Sequence, residues 1–144
     1  MKRHILVVED NAPNLELIRD WLESEGFEVH AAKTLDDAFR ALATNPPNAV
    51  LLDVQLAGED GLALATWIRQ QLAFQHLPVI AVTAHAMITD QERVIQAGCN
   101  ACISKPIEFK LLSQQLERWL GHAEKLQSSD RPGTDQTGST LGRG

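Results

Sequence analysis

The chain has 144 residues, of which 44% are hydrophobic and 22% are charged, and its formal net charge is −6. This length and composition indicate one globular domain with a buried core. The acidic balance and the lack of a Lys/Arg cluster argue against nucleic acid, and no apolar run approaches the ~20 residues of a membrane span. Two cysteines do not form a disulfide framework. The start MKRHILVVED has too few apolar residues for a signal peptide, so we expect a cytoplasmic protein.

Short apolar runs alternate with segments of helical periodicity along most of the chain. The patterns predict strands over residues 4–8, 28–31, 49–53, 78–82 and 101–104. They predict a first helix between an Asn11 cap and Gly26, and further helices over residues 36–43, 62–72, 89–97 and 107–120. Five strands alternating with five helices predict an α/β fold, a doubly wound five-stranded parallel sheet with helices on both faces.

The composition changes after Gly121. Apolar residues become scarce, and Ser, Thr, Gly and Asp dominate the remaining segment. We therefore predict a folded domain over residues 1–121 and a polar, disordered tail over residues 122–144. The sequence shows no second domain and no internal repeat.

Polar side chains stand at the predicted carboxyl ends of four strands. Glu9 and Asp10 follow the first strand, Asp53 closes the third, Thr83 follows the fourth and Lys105 follows the fifth. Taken singly, these residues are ordinary turn formers, helix caps, strand residues and surface charges. Their joint occurrence at strand ends indicates a site, because an open parallel sheet builds its site at that edge.

Three carboxylates, a hydroxyl and an ammonium suit a divalent metal and a transferable phosphoryl group. Asp53 is the candidate nucleophile, since a carboxylate can accept a phosphoryl group as an acyl phosphate. Mg²⁺ would supply positive charge, with Asp10 and Asp53 as direct ligands and Glu9 acting through water. Lys105 would bind one phosphoryl oxygen as a point charge, and the Thr83 hydroxyl would donate to another.

Four motifs carry a family resemblance: ILVVEDN, LLD with Gly61 eight residues after Asp53, VTAHAM and ISKP. Across about residues 3–120 the chain resembles the receiver domain of two-component response regulators. The spacings from Asp53 to Thr83 and to Lys105 also match that family. The resemblance implies a flavodoxin-like (βα)5 fold.

The resemblance also implies a role for each site residue. Asp53 would be the phosphoacceptor, and Thr83 and Lys105 would be the switch hydroxyl and the phosphoryl-contacting lysine. Lys105 would precede a cis Pro106. The Mg²⁺ ligands implied by the family are the side chains of Glu9, Asp10 and Asp53 and the backbone carbonyl of Gln55.

The implied activity is signalling. A cognate histidine kinase or histidine phosphotransfer protein would donate the phosphoryl group. Phosphorylation of Asp53 would then reorganise the face made by the fourth helix, fifth strand and fifth helix and change its affinity for a downstream protein target. On this interpretation the chain is a single-domain response regulator, a phosphoacceptor that promotes its own phosphorylation and slow autodephosphorylation rather than an enzyme.

The sequence departs from the family pattern at two positions. Ala57 stands where the family usually has proline, and Cys102 stands where it commonly has Tyr or Phe, so the usual aromatic readout is in doubt. Cys99 and Cys102 have a C-x-x-C spacing, which we interpret as packing cysteines rather than a zinc or redox site. His85 stands at a position that, in the family, tunes the rate at which water hydrolyses the acyl phosphate. A His85 side chain that faces solvent and takes no part in this reaction is an equal alternative.

Other classes of protein remain as alternatives. The TAHAM and ISKPI stretches are also common in receiver domains of hybrid kinases, so the chain could be a domain cut from one. A small phosphohydrolase with an aspartyl-phosphate nucleophile would need an Asp at Gln55 and a cap domain. A flavin-binding module would need a Ser/Thr/Gly-rich loop after the first strand, and EDNAPN is not such a loop.

Overall fold

A five-stranded sheet forms the centre of the computed structural model, which describes residues 2–84 and 87–129. The strands are β1 His4–Val8, β2 Glu28–Ala32, β3 Ala49–Asp53, β4 Val79–Thr83 and β5 Ala101–Ser104. They lie in the order β2-β1-β3-β4-β5, and every neighbouring pair is parallel. The predicted parallel sheet is therefore confirmed.

Five helices cover the two faces of this sheet. They are α1 Ala12–Ser24, α2 Leu35–Thr44, α3 Leu62–Gln70, α4 Ile88–Gln96 and α5 Phe109–Ser129. The apolar residues of α1 and α5 form one core cluster with one face of the sheet. Those of α2, α3 and α4 form a second cluster with the other face. This is the doubly wound arrangement that the alternation of elements predicts.

The strand sequences explain the two clusters. In β1, Ile5 and Val7 belong to the first cluster while Leu6 and Val8 belong to the second, and all four are buried. Successive side chains of a strand point to opposite faces, so a strand covered on both sides must be apolar throughout. The unbroken Ile-Leu-Val-Val run meets that requirement.

The strand order reverses next to β1. The chain passes from β1 outward to β2 and then returns to β3 on the other side of β1. The loops that follow β1 and β3 therefore diverge and leave a crevice between them at the carboxyl ends of the strands. This position is where open α/β sheets place ligands.

Local signals also explain where the helices begin. The Asn11 side chain accepts a hydrogen bond of 2.9 Å from the Asn14 amide, and Pro13 lies in the first turn of α1. Thr34 caps α2 by accepting from the Asp37 amide at 3.1 Å. The predicted Asn11 cap is confirmed. The Asn11 side-chain oxygen accepts from an amide of the first helical turn, which has no partner within the helix.

Two helices end at positions that differ from the sequence prediction. The predicted third helix reaches residue 72, whereas α3 ends at Gln70 and a 3₁₀ turn, Leu72–Phe74, follows. The predicted last helix ends at residue 120, whereas α5 continues to Ser129. Its extension buries Ala123 and pairs Glu124 with Arg3 at 3.3 Å, contacts that outweigh the helix-weakening Gly121. The rest of the predicted tail, residues 130–144, lies outside the described residues.

None of the helices in residues 2–84 and 87–129 combines the length and the apolar character that crossing a lipid bilayer requires.

Candidate functional site

Three carboxylates meet in the crevice between the loops after β1 and β3. Oxygens of Glu9, Asp10 and Asp53 lie within 4.8 Å of one another. Glu9 and Asp53 are only 2% and 4% exposed. Since β1 and β3 are paired neighbours, their carboxyl ends bring the two buried side chains together. The predicted gathering of these residues is present in the structure.

Backbone amides hold each of the three carboxylates in place. Each amide lies in the loop that follows a strand and donates to one carboxylate oxygen. The three bonds run from Asn11 N to Glu9 Oε2 at 3.2 Å, from Gln55 N to Asp53 Oδ1 at 3.0 Å and from Ala57 N to Asp10 Oδ2 at 3.0 Å. Such bonds orient the carboxylates and leave other oxygen lone pairs for a cation.

Lys105 brings the ammonium of the site from the end of β5. Its Nζ lies 3.1 Å from Asp53 Oδ2 and 3.7 Å from Glu9 Oε1. The peptide bond between Lys105 and Pro106 is cis, as the family resemblance implies. One ammonium therefore contacts two buried carboxylates, and Asp10 adds a third negative group nearby.

Burial changes the acidity of Glu9. Loss of hydration is the main reason that the pKa of Glu9 rises to about 7, and the Asp53 carboxylate raises it further. The Asn11 amide and the Lys105 ammonium oppose this rise. A cation entering the crevice would favour the ionised carboxylate, so the site is arranged to gain positive charge.

Thr83 ends β4 beside the acidic residues. It is 3% exposed, and its carbonyl accepts a hydrogen bond of 2.8 Å from the Lys105 amide. The preceding residue, Val82, is in register with Asp53 on β3. The strand ends thus place Thr83 between the strand of the candidate acceptor and the strand that leads to Lys105.

The loop after Asp53 contains a short hairpin that the sequence patterns did not predict. Gln55–Leu56 pairs antiparallel with Glu59–Asp60, and Gly58 in the turn has φ of 72°. Two-residue strands have no periodicity to detect, which explains the omission. The hairpin sets the rim of the crevice, because its Ala57 amide binds Asp10 and its Gln55 amide binds Asp53.

Gly61 is a further site-forming residue, for a reason that only the structure reveals. Its amide donates to the Val54 carbonyl at 2.8 Å, and a Cβ at this position would overlap the carbonyl oxygen of Asp53. The loop can therefore fold back onto the end of β3 only with glycine here. The sequence motif identified Gly61 but did not reveal this steric reason for a glycine.

The two cysteines pack in or against the second core cluster. Cys99 is buried and Cys102, on β5, is partly buried against the α2-α3-α4 side of the sheet. Burial raises the pKa of the Cys99 thiol to about 12, and burial together with the Asp90 carboxylate raises that of Cys102. Neutral thiols in these surroundings are typical of packing cysteines. His85 lies outside the described residues.

Comparison with known families and proteins gives a consistent result. A family model, the response regulator receiver domain, matches residues 5–117. The polar-differentiation response regulator DivK of Brucella ovis is 37% identical over 123 residues, which are 85% of this chain and 100% of that protein.

Solved structures give the same result for the fold. A response regulator receiver domain protein (CheY-like) from Methanospirillum hungatei JF-1 has a TM-score of 0.80 and 26% identity, covering 88% of this chain and 99% of that chain. The signal receiver domain of a signal transduction histidine kinase from Syntrophus aciditrophicus has a TM-score of 0.78 and 26% identity, covering 94% and 98%.

Proposed function

This chain belongs to the response regulator receiver domain family, and we propose that Asp53 is its phosphoacceptor. The observation that carries this proposal is the contact of 3.1 Å between the buried Asp53 carboxylate and Lys105 Nζ, inside the acidic crevice. A carboxylate can accept a phosphoryl group directly, and an adjacent ammonium offsets the charge that arrives with it. The chain would then act in two-component signalling as a protein that is phosphorylated, not as an enzyme for an external substrate.

The acidic crevice also fits Mg²⁺. Its donors are carboxylate oxygens, which Mg²⁺ prefers, and amide hydrogen bonds hold them in position. We assign Glu9, Asp10 and Asp53, with the Gln55 carbonyl oxygen, as the groups that would hold the ion. When bound, Mg²⁺ would supply the positive charge that phosphoryl transfer to a carboxylate requires.

The protein groups have distinct parts in the proposed transfer. An Asp53 carboxylate oxygen attacks the phosphorus of a donor phosphohistidine, the new P–O bond forms as the P–N bond breaks, and the imidazole leaves with the electron pair. Lys105 moves from its contact with the free carboxylate to a phosphoryl oxygen. The Thr83 hydroxyl donates a hydrogen bond to another phosphoryl oxygen, which couples β4 to the phosphorylation state.

A groove beside Lys105 supports a protein as phosphoryl donor. It measures about 490 Å³ and its lining is mostly apolar; the residues are Asn14, Leu17 and Ile18 of α1 with Lys105, Pro106, Ile107 and Phe109. Leu17 is 59% exposed at its rim. An apolar groove that opens next to the acceptor suits the phosphohistidine-bearing helix of a histidine kinase or phosphotransfer protein.

The α4-β5-α5 face supports a downstream protein target. Its exposed apolar side chains are Met87, Ile88, Ile95 and Leu111, with exposures of 70%, 73%, 51% and 37%. Movement of Thr83 toward a phosphoryl group would reach this face through β5, which is paired with β4. Because Cys102 offers no large ring on β5, we propose that the change is read through the position of α4 itself.

A receiver within a hybrid kinase is the second candidate, favoured by the likeness to the kinase-borne domain from Syntrophus aciditrophicus. The chemistry at Asp53 would be the same and only the donor would differ. Rates of transfer from isolated kinase cores and from phosphotransfer proteins distinguish the two roles. Both roles fit a cytoplasmic location, which the two free thiols of Cys99 and Cys102 also favour.

Intact-mass measurement tests the proposal. The chain is incubated with Mg²⁺ and acetyl phosphate, quenched at short intervals and compared with the Asp53→Asn variant. We expect one added phosphoryl group on the unaltered chain, lost when the metal is chelated, and none on the variant, because an amide oxygen is a poor nucleophile.

Asp36→Asn is the matched control, since Asp36 is an exposed carboxylate on α2. This variant should gain the phosphoryl group as the unaltered chain does. Metal-dependent labelling that persists in Asp53→Asn would assign the acceptor to another residue, and no labelling of the unaltered chain at any interval would contradict the proposal.

A further inference from the structure

Two histidines meet at the amino ends of the first two strands. The rings of His4 on β1 and His30 on β2 have centres 5.7 Å apart, and their planes differ by 27°. Both side chains are half-buried. The acidic crevice lies beyond the other end of β1, and a strand of this length spans about 16 Å. The histidine pair is therefore separate from the site described above.

The register of the sheet places a carboxylate beside this pair. In the pairing of β1 with β2, His4 is opposite Glu28, and His30 is opposite Leu6. Leu6 packs in the second core cluster, on the α2-α3-α4 side of the sheet. Since alternate residues of a strand share a face, His4, Glu28 and His30 all lie on that side. β2 is an edge strand and Glu28 is exposed, so its side chain has room to turn towards the two rings.

Hydrogen bonds hold the backbone that carries these side chains. The Glu28 amide donates to the Arg3 carbonyl at 2.8 Å. The His4 amide donates to the Asn48 Oδ1 at 2.7 Å, and the His4 carbonyl accepts from the Asn48 amide at 2.7 Å. The spacing between the two strands is thus fixed on both sides of His4. Rotation of side chains is sufficient to bring their ligand atoms together.

The surroundings of His4 favour the form of imidazole that binds metals. Burial is the main reason that the pKa of His4 is lowered, and the neighbouring His30 lowers it further, while Glu28 opposes the change. A neutral imidazole keeps a nitrogen lone pair for a metal ion. Imidazole suits Zn²⁺, Cu²⁺ and Ni²⁺, whereas Mg²⁺ prefers oxygen ligands such as those of the crevice.

We propose that His4, His30 and Glu28 form a second metal site, which binds a divalent transition metal such as Zn²⁺. Two imidazole nitrogens bound to one tetrahedral zinc at about 2.1 Å place the ring centres roughly 5 Å apart, close to the separation of this pair. Glu28 supplies the third ligand and water the fourth. In the part of the chain that the structure describes, only the crevice already gathers three ligand atoms within 4.8 Å, so the second site is completed when Glu28 turns in.

The metal would join the edge strand to its neighbour. His4 belongs to β1, in the interior of the sheet, while Glu28 and His30 belong to β2, which has a paired strand on one side only. A ligand that binds the folded chain and not the unfolded chain stabilises the fold in proportion to its occupancy. Zinc should therefore raise the melting temperature of the chain.

Zinc titration of the full chain tests this inference. The titration is done in excess Mg²⁺, which competes for the oxygen ligands of the crevice, and is followed by calorimetry and by NMR of the imidazole protons. We expect one zinc ion per chain, with shifts in the resonances of His4 and His30, assigned from the variants below. His4→Gln and His30→Gln should each weaken zinc binding at least about tenfold, because each removes a ligand, and Glu28→Gln should weaken it by a smaller factor.

His122→Gln is the matched control, since His122 is an exposed histidine on α5. This variant should bind zinc as the unaltered chain does, and zinc should raise its melting temperature but not that of His30→Gln. Urea unfolding without metal checks that each variant folds, and His30→Gln on the edge strand keeps the test decisive if His4→Gln does not fold. Zinc affinity that is unchanged in His30→Gln would place the ion elsewhere and overturn the proposal. An equal loss in His122→Gln, or the absence of zinc binding by the unaltered chain, would overturn it as well.

Discussion

The two edges of the sheet each hold a cation in contact with several oxygen atoms. At the carboxyl edge, Lys105 Nζ contacts carboxylates of Asp53 and Glu9 at 3.1 and 3.7 Å. At the amino edge, the Arg69 guanidinium donates to four neutral oxygens of the described residues. These acceptors are the carbonyls of Gly98, Phe74 and Leu77, at 2.8, 3.1 and 2.7 Å, and the Asn100 Oδ1 at 2.8 Å.

The difference lies in the groups that each cation contacts, which are neutral oxygens for Arg69 and negatively charged carboxylates for Lys105. Arg69 satisfies carbonyls of the connections before β4 and β5, and Asn100 Oδ1 also accepts from the amide of Val79, the first residue of β4. Lys105 faces more negative charge than it can neutralise, since three carboxylates share the crevice. The amino edge thus favours stability, whereas the carboxyl edge retains an excess of negative charge that a metal ion could offset.

Replacement of Arg69 should have the largest effect on stability. Arg69→Met removes the donor for four partly buried oxygens, so we expect the free energy of unfolding in urea to fall by about 3 kcal/mol or more. Arg69→Lys should recover little of this loss, because an ammonium cannot reproduce the planar fork of a guanidinium.

Lys105→Met is the matched control for that variant. It should abolish or greatly slow labelling by acetyl phosphate while lowering the free energy of unfolding much less than Arg69→Met does. Equal losses of stability at the two edges would contradict the distinction between them.

The next effect in size is expected at Gly61. Gly61→Ala forces a Cβ against the Asp53 carbonyl oxygen and should cost about 2 kcal/mol or more in urea unfolding, with slower phosphoryl uptake. Gly121, inside α5, has open space where a methyl group would stand and serves as comparison. Gly121→Ala should stabilise the chain by roughly 0.5–1 kcal/mol, since alanine favours a helix. If both Gly61→Ala and Gly121→Ala lowered the free energy of unfolding, the steric explanation would be contradicted.

Alkaline pH should affect the amino edge through Cys99. Burial raises its pKa from 9.0 to about 12, so the folded chain keeps a proton that the unfolded chain loses. The protonated Cys99 thiol therefore contributes fully to the free energy of unfolding below pH 9, and this contribution is lost as pH rises towards 12. Between pH 8 and pH 10 the unaltered chain should lose about 1 kcal/mol more than Cys99→Ala. Urea midpoints at both pH values measure the difference, and parallel profiles would show that the thiol titrates freely.

The smallest effect is expected from the exposed ion pairs of the amino edge. Arg3 contacts Glu117 at 2.9 Å and Glu124 at 3.3 Å, where the acidic side chains are 62% and 53% exposed. Arg3→Ala should therefore cost less than about 1 kcal/mol in thermal or urea unfolding. Added salt should remove most of the difference, and a cost that persists in high salt would indicate packing by the arginine stem.

The carboxyl edge was the more predictable of the two from sequence. Residues after apolar strands must meet at one edge of a parallel sheet, so Glu9, Asp10 and Asp53 could be expected together from the order of the residues alone. The same pattern predicted the strands, since an unbroken apolar run has few alternatives when both faces are covered. The roles of the individual site residues in phosphoryl transfer stay predictions.

The amino edge was not predictable because its contacts join distant loops. Arg69 stands in an amphipathic helix, where a charged residue normally faces solvent, and its acceptors include Gly98 and Asn100 from another connection. The extension of α5 was missed because Gly121 and the polar residues after it favour an end to the helix. The burial of Ala123 and the Arg3–Glu124 pair, which extend the helix, depend on where the N-terminal segment lies.

The first cluster has a consequence for synthesis of the chain on the ribosome. Ile5 and Val7 of the first strand pack in one cluster with Leu112 and Leu116 of the last helix. The apolar residues of β1 therefore stay partly uncovered until α5 is made. A nascent chain that stalls before residue 109 exposes this surface, which makes translation pauses and premature termination occasions for chaperone binding or aggregation.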